Sequence, residues 1–228
     1  QGVSSAASDV YKRQTIDNKK FPNGMKSVAD NIHSKGMLAG LWLAPFGAEF
    51  TSKTATQHHD WLIRKKNGHP VTCGINWGGF YALDIEVPEV KNYIKHFFDV
   101  ILNDWGFDLV KLDFLYAAAI IPNHGKSRGQ LMCEAMDFLR ECVGEKMILG
   151  CGVPLMPAFG KVDYCRIGAD MGLRWKVPFF SNREFISTYH TLGNSIFRRQ
   201  LDGRAFLNDP DVFLLRDENI HCTFEQRK

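Results

Sequence analysis

Short apolar runs alternate with longer amphipathic segments from Phe21 onward. The apolar runs are rich in branched and aromatic side chains, which favour β-strands. The predicted strands cover 37–43, 80–84, 108–113, 147–151, 163–168 and 204–208. Strands that alternate with helices in this way are typical of βα units around a parallel sheet. The pattern therefore predicts an α/β fold.

The clearest helix is predicted over 88–105, where apolar side chains recur at helical spacing from Val90 to Trp105. Pro88 stands near its start and Gly106 directly after its end, the positions that these two residues favour in helices. Weaker helical patterns cover 25–35, 54–66, 127–142 and 182–197.

Six strands with intervening helices fit either a doubly wound sheet or a (β/α)8 barrel. The segment Gly150-Cys151-Gly152 is the only Gly-x-Gly, and Val153-Pro154 follows it instead of a helix start. It therefore lacks the phosphate-binding turn of a nucleotide-binding doubly wound fold. The better match is a TIM (β/α)8 barrel, which needs eight strands and about 250 residues. Two of its βα units would be missing.

The composition describes a globular protein and excludes several partner classes. The chain has 228 residues, of which 45% are hydrophobic and 23% charged, and its net charge of +3 is spread along the sequence. Nucleic acid is therefore not an expected partner. The longest mostly apolar stretch, 37–46, is far shorter than the roughly 18 residues that span a bilayer. No membrane partner is expected either.

Residues 1–14 show no periodicity and lead into no predicted element, so we interpret them as an artefactual or foreign extension. Residues 15–228 then form a partial barrel domain. The six cysteines include no C-x-x-C pair and the eight histidines no metal-ligand spacing. We expect mostly free, buried thiols, with disulfides as the alternative, a cytoplasmic location, and neither a metal nor a cofactor.

Asp113 closes the predicted strand 108–113. The two-residue period of a strand puts Lys111 and Asp113 on one face. A nearby ammonium keeps a carboxylate ionised, which is the state that a nucleophile or an electrostatic stabiliser needs. The alternative is a buried ion pair that fills the interior of the barrel.

Arg166, Gly168 and Asp170 share a face if the strand 163–168 stays extended. Gly168 would then let a ligand approach the backbone, Arg166 could bind vicinal hydroxyls, and Asp170 could donate a proton. The alternative is a surface Arg–Asp pair in a loop.

Other predicted strand ends carry weaker candidates. Asn208 and Asp209 are either ligand contacts or loop caps. Trp42 is either core packing or an aromatic wall for a sugar ring. Asp84 is interpreted as a residue that orients other groups, and Cys151 as a small buried side chain rather than a nucleophile.

Two carboxylates at separate strand ends are what a retaining glycosidase requires, at a separation of about 5–5.5 Å. One attacks the anomeric carbon, and the other protonates the leaving oxygen and then activates water.

Six segments together resemble the glycoside hydrolase family 36 α-galactosidases of clan D. They are FPNGMKSVADNIHSKGMLAGLWLAPF, LDIEVPEVKNYI, DLVKLDFLYAA, GCGVPL, RIGADMG and FLNDPDVFLLR, in the order of that family. The resemblance implies that the missing βα units are the first and the last. It makes Asp113 the nucleophile and Asp170 the acid/base. It also implies substrate contacts from Lys111, Arg166, Cys151 and Gly152, to which we add Trp42, Asp84, Asn208 and Asp209.

The resemblance implies a retaining α-galactosidase that hydrolyses terminal α-galactosyl residues of oligosaccharides through a covalent glycosyl-enzyme. Two alternatives keep the same site: a transglycosidase of the raffinose-synthase type and an α-N-acetylgalactosaminidase. A third is a non-catalytic carbohydrate-binding relative. The expected partners are α-galactoside oligosaccharides, and the full-length protein could be a homo-oligomer.

Overall fold

The computed structural model describes residues 17, 19–176, 186–212 and 223–227. They fall into two compact units, of which the first ends at Val162 and the second begins at Asp163. The predicted foreign extension, 1–14, lies outside the described residues. None of the described helices is long and apolar enough to cross a membrane.

The helices and strands are numbered along the chain. The helices are α1 (Gly24–His33), α2 (Lys53–Gln57), α3 (Pro88–Asp99), α4 (Arg128–Val143), α5 (Thr188–Arg198) and α6 (Phe224–Arg227). The strands are β1 (Gly40–Leu43), β2 (Gly47–Glu49), β3 (Thr72–Gly74), β4 (Phe80–Ala82), β5 (Leu109–Leu112), β6 (Met147–Gly150), β7 (Tyr164–Arg166) and β8 (Leu207–Asp209).

A parallel sheet of β1, β5 and β6 forms the centre of the first unit, with β5 between the other two strands. Trp42 of β1 and Leu149 of β6 both pair with Lys111 of β5. Val110, Leu112 and Ile148 are fully buried. Buried and half-buried residues alternate along β5 and β6, as the two-residue period of a strand predicts.

The predicted helix 88–105 is formed in two parts. Helix α3 buries the apolar stripe from Val90 to Phe98, and a π-helical turn then covers Val100–Asp104. The wider turn keeps Ile101 and Leu102 buried. Gly106, with a φ of 75°, follows the end of the segment, as the sequence predicts.

Three strands of the first unit form a separate antiparallel sheet in the order β2, β4, β3. The prediction that 80–84 is a strand of the parallel sheet is therefore wrong. Strand β4 follows β3 after a short 3-10 turn, and that connection is too short for the crossover that a parallel neighbour needs. Glycines 47 and 74 make room for the buried ring of Phe80, because a Cβ there would lie 3.1 and 2.7 Å from ring atoms.

The predicted helix over 54–66 is also wrong beyond its first turn. Helix α2 ends at Gln57, and Leu62 and Arg64 form antiparallel bridges with Leu83 and Pro70. The apolar pair Leu62 and Ile63 is buried in this arrangement, so burial there is achieved by extended chain rather than by a helix.

The second unit contains β7 and β8, which pair in parallel with Arg166 opposite Asp209. Helix α5 connects them and begins after Ser187, whose side chain accepts a hydrogen bond from the His190 N–H. Residues 182–185 of the helix predicted over 182–197 lie outside the described residues. Five of the six predicted strands thus pair in parallel, which confirms the α/β class. Closure into a barrel stays a prediction.

Candidate active site

Asp113 lies directly after β5 and is held by two N–H donors. The indole Nε1 of Trp42 donates to Oδ2 of Asp113 at 3.0 Å, and the backbone N of Phe114 donates to Oδ1 at 2.7 Å. The backbone N of Asp113 donates to the carbonyl of Leu43 at 2.8 Å and so extends the pairing of β1 with β5. The carboxylate is therefore fixed in both position and orientation at the carboxyl end of the sheet.

The alternative interpretation, a buried ion pair between Lys111 and Asp113, does not hold, because none of the described ion pairs joins these two residues. Same-face residues on one strand are roughly 6.6 Å apart, whereas the strand pairing puts Trp42 beside Lys111. The indole from the neighbouring strand therefore reaches Asp113 instead. Lys111 and Asp113 are both half-buried and alternate with the buried Val110 and Leu112, so the prediction that they share a face agrees with the burial pattern.

The chain after β6 passes close to Asp113. Gly152 has a φ of 59°, and a Cβ on it would lie 3.1 Å from the backbone of Phe114 and 3.5 Å from Oδ1 of Asp113. Cys151 is buried, and its backbone N donates to the Leu112 carbonyl at 2.8 Å. Both residues thus lie next to Asp113, and only glycine fits at position 152 without strain.

Phe114 has a φ of 53°, a left-handed conformation that a bulky side chain rarely adopts. Its ring packs edge-on against Phe80 at 5.2 Å and Trp42 at 6.4 Å between ring centroids. Backbone strain of this kind persists only where the surroundings enforce it. Here the aromatic contacts hold Phe114 in the conformation that directs its N–H to Asp113.

Tyr116 connects the segment after Asp113 to the antiparallel sheet. Its hydroxyl donates to the carbonyl of Cys73 at 2.9 Å. Burial raises the pKa of Tyr116 to about 12, and negative charge at Cys73 and Asp113 acts in the same direction. The phenol therefore stays neutral and keeps its proton for this hydrogen bond.

Asp84 is a buried anchor for the loop that precedes α4. Its Oδ2 accepts hydrogen bonds from His124 at 2.8 Å and Asn123 at 3.3 Å, and its Oδ1 accepts the N–H of Glu86 at 3.0 Å. These contacts agree with the interpretation of Asp84 as an orienting residue. Its contact with substrate stays a prediction.

In the second unit, the guanidinium of Arg166 lies between two carboxylates. Its Nη2 is 2.7 Å from Oδ1 of Asp170 and 2.8 Å from Oδ2 of Asp211. The Arg166 side chain is only 4% exposed, and that of Asp170 is 66% exposed. The structure therefore forms the Arg–Asp pair of the alternative interpretation, with Arg166 buried rather than at the surface. The role of Asp170 as a proton donor stays a prediction. Asp211 was not a sequence-based candidate, although it stands only two residues after the candidate Asp209.

The sequence suggested that Gly168 leaves space for a ligand. In the structure, that space is filled. A Cβ at this position would lie 2.8 Å from Nδ2 and 3.0 Å from Cβ of Asn194 on α5, so the helix occupies that space. The loop is held further by Thr191, whose hydroxyl lies 3.3 Å from the carbonyls of Ala169 and Asp170. Helix α5 therefore supports the backbone under Asp170.

Asn208 and Asp209 both make loop-capping contacts. The Asn208 amide donates to the carbonyl of Arg198 at 3.1 Å, and Oδ1 of Asp209 accepts the N–H of Asp211 at 2.9 Å. The capping alternative therefore describes their contacts in this structure, and a role in substrate binding stays a prediction.

The described cysteines are free thiols. Cys151 and Cys165 are buried as predicted, whereas Cys133 is exposed. Within the same described ranges, no group of three or more His, Cys, Asp or Glu side chains has metal-binding geometry.

Comparison with known proteins gives consistent matches to α-galactosidases. The profile of the Melibiase family matches residues 9–135. TtGalA, an α-galactosidase from Thermus thermophilus in complex with p-nitrophenyl α-D-galactopyranoside, is similar in structure with a TM-score of 0.81 and 33% identity. The match covers 92% of this chain and 44% of that chain. The same protein in complex with stachyose gives a TM-score of 0.80, at 33% identity and with 92% and 46% of the two chains covered.

Two curated relatives match shorter regions. An α-galactosidase from Escherichia coli is 30% identical over 129 residues, which are 55% of this chain and 18% of the relative. A Flavonifractor plautii protein named "A type blood alpha-D-galactosamine galactosaminidase" is 31% identical over 113 residues, which are 45% of this chain and 10% of the relative. In each of these comparisons the chain covers less than half of the other protein.

Proposed function

The chain belongs to the melibiase family of glycoside hydrolases, and on that premise we propose that it catalyses retaining α-galactoside hydrolysis. The substrates are oligosaccharides with a terminal α-galactosyl residue. Stachyose, which is bound to the Thermus thermophilus relative, is of this class. The reaction passes through a covalent glycosyl-enzyme.

The observation that carries this proposal is the way Asp113 is held. Each of its carboxylate oxygens accepts one N–H, from Trp42 and from the Phe114 backbone. A carboxylate has about four lone-pair sites, so each oxygen keeps one for attack. Donors of this kind restrict the orientation of the carboxylate, which favours a nucleophile.

In the first step, an oxygen of Asp113 forms a bond to the anomeric carbon of the galactosyl residue. The bond from that carbon to the leaving oxygen breaks, and Asp170 gives its proton to this oxygen. In the second step, Asp170 takes a proton from water, whose oxygen attacks the anomeric carbon and releases Asp113. Two displacements at one carbon give galactose with retained configuration.

The remaining predicted contacts would bind the sugar. Lys111 and Arg166 would donate hydrogen bonds to hydroxyl groups, as cationic side chains with several N–H donors can. The close passage of Gly152 by Asp113 would let the backbone approach the galactosyl ring. The other proposed contacts are Trp42, Asp84, Cys151, Asn208 and Asp209.

Azide rescue tests both carboxylate roles in the full-length protein. We expect Asp113→Ala and Asp170→Ala each to lower the kcat for an aryl α-galactoside by at least about 100-fold. Azide attacking directly in Asp113→Ala should give β-galactosyl azide, because one displacement inverts the configuration. Azide attacking the glycosyl-enzyme in Asp170→Ala should give α-galactosyl azide.

The azide experiment needs a matched control and has a clear contrary outcome. Asp137→Asn removes a surface ion pair with Lys161 and should leave the activity unchanged. Wild-type protein that releases galactose with inverted configuration, or turns over no α-galactoside, would contradict the proposal. The same azide anomer from both alanine variants would contradict the assignment of the two roles.

A second candidate glycone is α-galactosamine or its N-acetyl derivative. The Flavonifractor plautii relative, named as a galactosaminidase, is the observation that favours it. The chemistry at the anomeric carbon is the same, and only the group at C2 differs. Comparing kcat/KM for the 4-nitrophenyl α-glycosides of galactose, galactosamine and N-acetylgalactosamine decides between these glycones.

A further inference from the structure

We propose that Asp211 is a positioning residue that holds the Arg166 guanidinium and the backbone beside Asp170, and so keeps Asp170 able to act as the acid. This inference rests on the proposed function, in which Asp170 protonates the leaving oxygen. The observation behind it is a single nitrogen, Nη2 of Arg166, that both carboxylates share at 2.7 and 2.8 Å.

The two carboxylates differ in their surroundings. The side chain of Asp211 is 17% exposed and that of Arg166 is 4% exposed, whereas that of Asp170 is 66% exposed. A buried guanidinium is costly unless a charged partner lies close to it. Asp211 is the less exposed of the two partners, and Asp170 lies at the exposed end of the cluster, where a substrate can reach it.

Asp211 is tied to the backbone on both sides. Its Oδ2 accepts the N–H of Met171, the residue after Asp170, at 2.6 Å. Its own N–H donates to Oδ1 of Asp209 at 2.9 Å, and its φ is 77°. One carboxylate oxygen therefore fixes both the guanidinium that pairs with Asp170 and the peptide next to it.

Asp170 shares its guanidinium donor with Asp211, because Nη2 of Arg166 contacts both carboxylates. A group that gives a proton to a leaving oxygen has to be held in a defined orientation. By fixing the guanidinium from the other side, Asp211 also fixes the carboxyl group of Asp170. Among the contacts of the described residues, Arg198 donates to the carbonyl of Ile167, and Asp209 accepts the N–H of Asp211.

The leaving group of the substrate distinguishes acid catalysis from a general structural role. Melibiose needs protonation of its leaving oxygen, whereas α-galactosyl fluoride releases fluoride with little need for a proton. We expect Asp211→Asn to lower the kcat/KM for melibiose by about 30-fold and that for the fluoride by less than about 3-fold. Asparagine tolerates the left-handed backbone and can still accept the N–H of Met171.

The ratio of the two kcat/KM values is measured on one preparation, so it does not depend on how much of the variant is folded. Asp211→Glu, which keeps the charge, should restore a ratio near that of the wild type. Asp137→Asn is the control for loss of an ion pair elsewhere.

An unchanged ratio in Asp211→Asn would overturn the inference, and so would a ratio in Asp211→Glu as altered as in Asp211→Asn. The variant Asp170→Ala separates this failure from failure of the proposed function. If Asp170→Ala loses activity on melibiose selectively while Asp211→Asn does not, only the inference about Asp211 is wrong. If Asp170→Ala affects both substrates equally, the acid/base assignment and the inference both fall.

Discussion

The indole Nε1 of Trp42 donates a 3.0 Å hydrogen bond to the carboxylate of Asp113. The two residues are far apart in the sequence and meet because β1 and β5 are parallel neighbours, with Trp42 opposite Lys111. The contact connects a side chain within β1 to the residue that directly follows β5. It is a direct link between the packing of the sheet and the candidate nucleophile.

Replacing the indole N–H of Trp42 should lower the activity with little loss of folding stability. Trp42→Phe keeps an aromatic ring but loses the N–H, and a hydrogen bond to a charged group contributes about 1.5–3 kcal/mol. We expect the kcat/KM for an aryl α-galactoside to fall by about 10- to 100-fold. Trp61→Phe is the control, since Trp61 stacks on His58 in the same unit. Equal losses in both variants would argue against a specific role for the Trp42 N–H.

Adding a methyl group at Gly152 should disturb Asp113. The backbone there has a positive φ, and the new Cβ would lie 3.1 Å from the Phe114 backbone. We expect Gly152→Ala to cost about 1–3 kcal/mol of folding free energy and to lower the kcat. Gly160→Ala has a similar φ of 68° but no atom within 4 Å, so it should cost stability without affecting the kcat. Urea unfolding and steady-state kinetics on both variants make the comparison.

Asp108 should stabilise the first unit in a pH-dependent way. Burial alone would raise its pKa, but hydrogen bonds from the Ala39 N–H, His33 and Lys146 outweigh burial and lower the pKa of Asp108 to about 2. Its ordinary value is about 3.9. The stabilisation is therefore complete above about pH 4 and is lost as the pH falls towards 2.

Urea unfolding of Asp108→Asn beside the wild type tests this. The difference in unfolding free energy should be about 1–2 kcal/mol at pH 6 and should shrink by pH 3. Asp30→Asn, on the exposed surface of α1, is the control and should show a smaller difference. A difference for Asp108→Asn that is constant from pH 6 to pH 3 would contradict the lowered pKa.

Tyr116 should resist ionisation well above the ordinary tyrosine pKa of about 10. Burial, with negative charge at Cys73 and Asp113, raises the pKa of Tyr116 to about 12. Its contribution to stability is present below pH 10 and is lost as the pH rises towards 12. Absorbance at 295 nm should give nearly equal counts of ionised tyrosine in the wild type and Tyr116→Phe up to about pH 11. One more ionised tyrosine in the wild type at pH 10.5 would contradict this.

Periodicity along the chain was enough to predict several features, because their physical cause is local. The apolar stripe of 88–105 needs one buried face, and the runs around Val110 and Ile148 bury every second residue, whatever lies next to them. Asp113 and Asp170 stood out because an acidic residue at the end of an apolar run requires a specific environment. The pair Arg166 and Asp170 was visible because four residues separate them.

Contacts between distant segments were decided by the tertiary structure alone. Sequence spacing suggested Lys111 as the partner of Asp113, but strand pairing brings Trp42 there. The sequence also suggested open space beside Gly168, but the side chain of Asn194 on α5 fills it. Asp211 was not among the candidates from the sequence, and the parallel pairing of β7 with β8 brings it against Arg166. A strand's own sequence sets its faces, whereas its neighbours are set by the folded sheet, and the partners of each charged group follow from those neighbours.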